Sequence, residues 1–173
     1  MTLVTKLAAG AQFPSLTFAT LDAGLIDVAA LHGWRLLVIY RGHHCPLCKK
    51  YLSALDALLD DFKAVGVQVF AVSADPVERA EADIAEFRWR FPVGYGLTVE
   101  QMRQIGVYIS QPRTPPDTDH LFAEPGLFLV NPDGKAQIID ISNAPYARPE
   151  PASILMGIKI IQERGFPIRG TVI

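Results

Sequence analysis

The sequence predicts an α/β fold: a central mixed β-sheet with helices on both faces. Three observations predict it. Short apolar runs, Leu36 to Tyr40 and Val67 to Ser73, alternate with segments of helical periodicity. Two further runs, Gly126 to Asn131 and Ala136 to Ile141, flank Pro132, Asp133 and Gly134, the signature of a hairpin. A last helical segment runs from Pro151 to about Arg164. Strands joined through helices pair parallel and a hairpin pairs antiparallel, so the sheet is mixed.

Residues 1–15 read as an arm ending in a turn at Pro14. Leu16 to Leu21 has strand character, with Asp22, Ala23 and Gly24 as its turn. Ala29 to Gly33 reads as a loop before the strong strand 35–40. From Pro46 onward, Leu47, Tyr51, Leu52, Leu55, Leu58, Leu59 and Phe62 fall on one helical face. Pro46 suits the first turn, where its missing N–H costs nothing, and Gly66 is the expected stop. Asp75 and Pro76 open a second helix to about Trp89, whose charges from Glu78 to Asp83 read as a solvated face. A short strand near Val93, a short helix over 99–105 and a polar, proline-rich loop over 111–120 follow. Trp34, Trp89 and Phe91 are expected to pack. No repeat or linker interrupts the 173 residues, so a single domain over 1–173 is expected.

Half of the residues are apolar and a fifth are charged, as in ordinary globular proteins. A net charge of −2 points to no nucleic-acid partner. No apolar run approaches the roughly 18 residues that span a bilayer, so no membrane role is expected. The N-terminus lacks a secretory apolar stretch, and a cytoplasmic protein is the expectation.

The two cysteines, Cys45 and Cys48, stand two residues apart at the junction between strand 35–40 and the helix from Pro46. With Cys45 as N-cap, unpaired first-turn N–H groups and the helix dipole favour its thiolate. Arg41, His43, His44, Lys49 and Lys50 are candidates to add positive potential. Cys48, one turn into the helix, is expected to keep a more ordinary pKa. Cys45 is therefore the candidate nucleophile and Cys48 the candidate resolving thiol, cycling through a mixed disulfide or sulfenic acid to a Cys45–Cys48 disulfide. A structural staple is disfavoured, because so short a loop removes little unfolded-state entropy. A zinc site needs four ligands; only His43, His44 and His120 are nearby candidates, and crowding around Pro46 opposes them.

The stretch from Leu36 through Cys48, the run Val69 to Asp75 and the run Pro125 to Lys135 together resemble the thioredoxin-like superfamily. More closely, the chain resembles its alkyl hydroperoxide reductase/thiol-specific antioxidant branch, the peroxiredoxin-like proteins, over roughly residues 10–165. The resemblance implies a thioredoxin-like fold and an oxidoreductase without organic cofactor or metal. It implies a thiol reductant of thioredoxin or glutathione type, a disulfide or peroxide substrate, and a possible homodimer. Peroxiredoxins carry Pro-x-x-x-Thr/Ser-x-x-Cys; the matching positions here are Val38 and Gly42. Where that family places an Arg before the Gly-Leu-Phe strand, this chain has Pro125. Those departures favour thiol–disulfide exchange over peroxide reduction, with antioxidant peroxidase chemistry as the alternative and a zinc- or partner-binding module as a third reading.

Thioredoxin-type enzymes set a cis proline opposite the motif, and the resemblance makes Glu124–Pro125 the cis candidate and part of the substrate groove. Position alone equally allows a trans proline opening a strand. The buried carboxylate of such enzymes is replaced here by Ile39, leaving Glu124 and His44 as candidates for proton handling and Arg41 for thiolate support. The loop 111–120 is a candidate cover for the groove beside Cys45.

Overall fold

Apolar side chains on both faces put β3 in the middle of the sheet. In the computed structural model, which describes residues 6–172, β3 spans Trp34–Ile39 and every residue after Trp34 is buried. It pairs parallel with β4 (Val67–Val72) on one side and antiparallel with β8 (Gly126–Val130) on the other. With β1 (Thr17–Thr20), β2 (Leu25–Asp27), β5 (Val93–Tyr95) and β9 (Ala136–Ile141), the sheet runs in the order β2-β1-β5-β4-β3-β8-β9. Parallel β3-β4-β5 and the antiparallel β8-β9 hairpin give the mixed sheet that the sequence predicts.

Alternate β3 residues split the core in two. Leu36 and Val38, with Tyr40 just past the strand, face a cluster that takes in both cysteines and side chains of α1 (Pro46–Ala57), α2 (Leu59–Ala64), α3 (Val77–Phe87) and α5 (Pro151–Arg164). Leu37 and Ile39 face a cluster built from Phe13, Leu16, Phe18 and the short helix α4 (Val99–Ile105). The Asn131 side-chain oxygen closes the β8–β9 turn, accepting the N–H groups of Asp133 and Lys135 at 3.0 Å each.

Residues 25–27, unassigned from sequence, form a strand, because Phe18 and Ile26 pair across the 22–24 turn. Three expectations need correction. The helix expected through to Gly66 is two helices that meet at Leu58. No proline or glycine marks that break; Arg90 donates to the Asp56 carbonyl at 2.7 Å and grips the carboxylates of Asp56 and Asp60. Asp83 is fully buried, not on a solvated face. Finally, the one cis peptide bond among the described residues is Thr114–Pro115, so Glu124–Pro125 is trans. Pro125 lies just before β8, where a residue without an N–H is tolerated, and its carbonyl accepts the Ser142 N–H at 3.0 Å.

Two more short strands, β6 (Ile109–Ser110) and β7 (Phe122–Ala123), pair antiparallel and pinch the base of the proline-rich loop. Among the described residues no helix is long and apolar enough to cross a membrane.

Candidate functional site

Where β3 ends, its two neighbours run in opposite directions, and the chain turns there into α1. Cys45 is the N-cap of α1, with extended backbone (φ −106°, ψ 97°), and Pro46 occupies the first turn. The backbone N–H of Cys48, in the first turn, is shared between the Cys45 carbonyl at 3.1 Å and the Cys45 sulfur at 3.2 Å, so a helix-mouth donor reaches the thiol. Both cysteines are free thiols, and both are buried, Cys45 at 1% exposure.

That geometry splits the two acidities. Hydrogen bonding from the Cys48 side chain pulls the Cys45 thiol down to about 6; the Cys48 N–H and the hydrogen bond and charge of Arg41 act the same way, against the cost of burial. Cys48 moves up, because it donates to Cys45, is buried and faces its neighbour's charge, with Arg148 opposing. A thiol whose pKa is lowered is ionised above that pKa and protonated below it. Alkylation of Cys45 in the reduced protein should therefore stay level above about pH 6 and fall about tenfold per unit below it, and Arg41→Gln should move the midpoint upward. Iodoacetamide labelling followed by peptide mass spectrometry across pH 4–10 checks both. A wild-type midpoint in the ordinary cysteine range contradicts this electrostatics.

The structure distributes the other candidate residues unevenly. Arg41 lies at the site: its Nε is 3.1 Å from a Glu124 carboxylate oxygen, and its guanidinium stands over the Phe122 ring at 4.8 Å. Glu124 is buried, also accepts a 2.7 Å hydrogen bond from the Ser110 hydroxyl, and so fixes Arg41 from behind. Neither Glu124 nor Pro125 lines the cavity beside Cys45, contrary to the groove assigned to them; Ser110, Phe122 and Pro145 line it instead. His44 does line it, its ring edge-on to Phe122 at 4.6 Å. Burial first, then the charge of Arg41, lowers the His44 pKa, so the ring is neutral near pH 7 and supplies no cationic support. Lys49 turns away to Asp83, at 3.4 Å. Among the described residues no group of three or more His, Cys, Asp or Glu side chains is arranged to hold a metal ion.

Three features escape the sequence reading. Arg148, a hundred residues from the motif, donates to the Cys48 sulfur at 3.7 Å and to the Leu47 carbonyl at 3.2 Å, while its guanidinium stacks over Tyr51 at 4.2 Å. No motif surrounds it; only the path of the chain between β9 and α5 brings it there. Asp75 is buried against Gly42 and accepts the His43 N–H at 2.6 Å. Gly42 has φ +126°, and a Cβ there would stand 2.5 Å from an Asp75 carboxylate oxygen. The position that carries a hydroxyl in peroxiredoxins is thus filled by a carboxylate. Asp83, under the same loop, meets His43 Nδ1 at 2.6 Å. Burial raises its pKa, with His43 and Lys49 opposing. The acidic spacing of α3 gives no sign that one of its carboxylates points inward.

Beside Cys45 opens a cavity of about 320 Å³. The loop between β6 and β7 forms one wall through Gln111, Arg113 and Asp117, as the sequence suggests for this segment. Arg79 on α3 pins the far end of that loop, donating to the Thr118 hydroxyl at 2.7 Å and pairing with Asp119 at 2.9 Å.

Comparison with known proteins agrees with this architecture. The model of the AhpC/TSA family matches residues 9–139. The thiol-disulfide oxidoreductase ResA of Bacillus cereus is 25% identical over 131 residues, covering 75% of this chain and 68% of that protein. A mutant of the peroxiredoxin 6 of Arenicola marina superimposes with a TM-score of 0.80 at 19% identity, over 92% of this chain and 75% of that one. Mycobacterium bovis AhpC superimposes with a TM-score of 0.75 at 18% identity, over 95% and 98%. The fold is therefore the thioredoxin-like fold of the peroxiredoxins, and this chain, an oxidoreductase by its relatives, belongs to the AhpC/TSA family.

Proposed function

We propose that this protein is a thiol–disulfide oxidoreductase in which Cys45 attacks and Cys48 resolves. The observation that carries it is the Cys45 sulfur at the mouth of α1, accepting the Cys48 N–H with its pKa lowered, while Cys48 is held protonated one turn away. The Cys45 thiolate attacks one sulfur of a disulfide; that S–S bond breaks, and the leaving thiolate takes a proton from water. Cys48 then loses its proton to solvent, and its sulfur attacks Cys45. The second substrate thiolate leaves, and a Cys45–Cys48 disulfide remains. Two electrons have passed to the substrate, and a thiol reductant of thioredoxin or glutathione type returns them. In this reading Arg41 stabilises the Cys45 thiolate and Glu124 orients Arg41. Arg148 stabilises Cys48 as its proton leaves. The neutral His44 ring walls the cavity. The chain acts as a single cytoplasmic domain and needs no organic cofactor; pairing into a homodimer is compatible with this chemistry.

A second reading, antioxidant peroxide reduction through a sulfenic acid on Cys45, is favoured by the peroxiredoxin-like fold. Gly42 and the Asp75 carboxylate seated on it weigh against that reading, since no hydroxyl is there to hold a peroxide oxygen. The two are separated by mixing reduced protein with hydrogen peroxide or with a model disulfide at equal concentration and counting residual thiols over time. The disulfide is expected to oxidise the pair faster, with peroxide staying within about tenfold of a free thiolate. Peroxide oxidation orders of magnitude above a free thiolate would establish the second reading instead.

A further inference from the structure

The way Cys45 is enclosed narrows its substrate. The residue is 1% exposed, so its sulfur is approached through the half-enclosed cavity beside it. A volume of about 320 Å³ equals roughly ten waters of liquid, the size of one small organic molecule. A disulfide in a folded protein is a different object. Its two Cα atoms stand only about 4.4–6.8 Å apart, so two polypeptide segments must enter together with the S–S bond. The walls oppose that: the 111–117 segment, pinched at its base by β6–β7 and tied down through Arg79, stands on one side, and Pro145 also borders the space.

The lining also carries charge. Arg41 and Arg113 reach it, against one carboxylate, Asp117. Arg113 stands at the rim, 79% exposed, with its Nε on Asp117 at 3.3 Å. Its Nε meets Asp117 while most of the guanidinium faces solvent, the kind of two-pronged group that recognises carboxylates.

We propose that the substrate of Cys45 is a low-molecular-weight disulfide bearing carboxylates, taken into this cavity with its acidic group at Arg113, and not a disulfide of a folded protein. The inference rests on the exchange reading above and adds the size and charge of the substrate. The chemistry balances as already given: one such disulfide yields two small thiols and the Cys45–Cys48 disulfide, and the thiol reductant named above returns two electrons to the pair.

Four probes test it against reduced wild-type protein: dithiodipropionate, hydroxyethyl disulfide, cystamine and insulin. The first three are aliphatic disulfides differing mainly in charge. Each rate of Cys45–Cys48 oxidation is divided by the rate of the same probe with mercaptoethanol, to remove intrinsic reactivity. The anionic dithiodipropionate is expected to exceed the cationic cystamine by about tenfold, with neutral hydroxyethyl disulfide between them, and to exceed insulin by about a hundredfold. Arg113→Glu should invert the preference between anion and cation, whereas a loss of loop structure alone would at most abolish it. Insulin reacting as fast as the small anion, or a charge preference absent in wild type or untouched by Arg113→Glu, overturns the proposal. If none of the four probes oxidises the pair, the exchange reading itself falls, a result distinct from either.

Discussion

Cys48→Ser should stop turnover at the mixed disulfide, with at least about a 10³-fold loss of steady-state disulfide reduction at ~1 mM external thiol. The size follows from the geometry. In wild type the second attack is intramolecular, from a residue whose own N–H already touches the Cys45 sulfur at 3.2 Å. Without Cys48, an external thiol must do the same work in a bimolecular step, and effective molarities of well-placed groups exceed millimolar concentrations by many orders of magnitude. The variant should still consume one equivalent of disulfide, and intact-protein mass spectrometry should show the substrate half attached to Cys45. Cys45→Ser should show neither adduct nor turnover while keeping its fold, as circular dichroism would report. A Cys48→Ser protein that turns over at the wild-type rate removes the resolving role, and an adduct on Cys48 in Cys45→Ser reverses the assignment.

Gly42→Ala should destabilise the protein by about 3 kcal/mol, from a side chain at positive φ and a close approach to a buried carboxylate. For a chain of this size that lowers Tm by about 10 °C. Asp75 has nowhere to retreat: it is fully buried, holds the His43 N–H and stands near Arg79 and His120. The Cys45 N–H donates to the Gly42 carbonyl at 3.1 Å, so a shift at Gly42 also displaces the nucleophile. Adding Asp75→Ala to Gly42→Ala separates the two contributions, since it removes the clash and leaves the backbone strain. The double variant should lose less stability than the two single losses summed. Differential scanning calorimetry decides it; strict additivity, or an unchanged Tm for Gly42→Ala, would refute the packing argument.

The parts of this protein that were readable in its sequence are those set by local spacing. Short apolar runs bounded by loop residues read as strands covered on both faces, and β3 from Arg35 onward and β4 apart from Gln68 are buried in that way. The hairpin 126–141 is fixed by its turn residues, and the N-cap of α1 by a cysteine followed by a proline. The Cys-x-x-Cys pair was legible because helix geometry alone sets its two thiols one turn apart at a charged end.

What local spacing cannot encode is which distant side chain arrives. The break at Leu58 depends on Arg90, over thirty residues away, and the acid that holds Arg41 depends on β7 closing against β6. Glu124 looked like a groove residue and is a buried anchor; His44 looked like a cation and is held neutral by burial; Asp83 looked solvated and sits under the active loop.

The sequence by itself determined the strand and helix order, the mixed α/β sheet and the pair of sulfurs at the helix mouth, because these follow from periodicity, turn chemistry and two residues of separation; the thioredoxin-like class was carried by the resemblance of its motifs. Only the tertiary structure decided what surrounds those sulfurs: Arg148 against Cys48, Asp75 in place of a hydroxyl, and a walled cavity over Cys45. The physical reason is that acidity and access at a thiol are set within a few ångströms in space, by groups up to a hundred residues away along the chain.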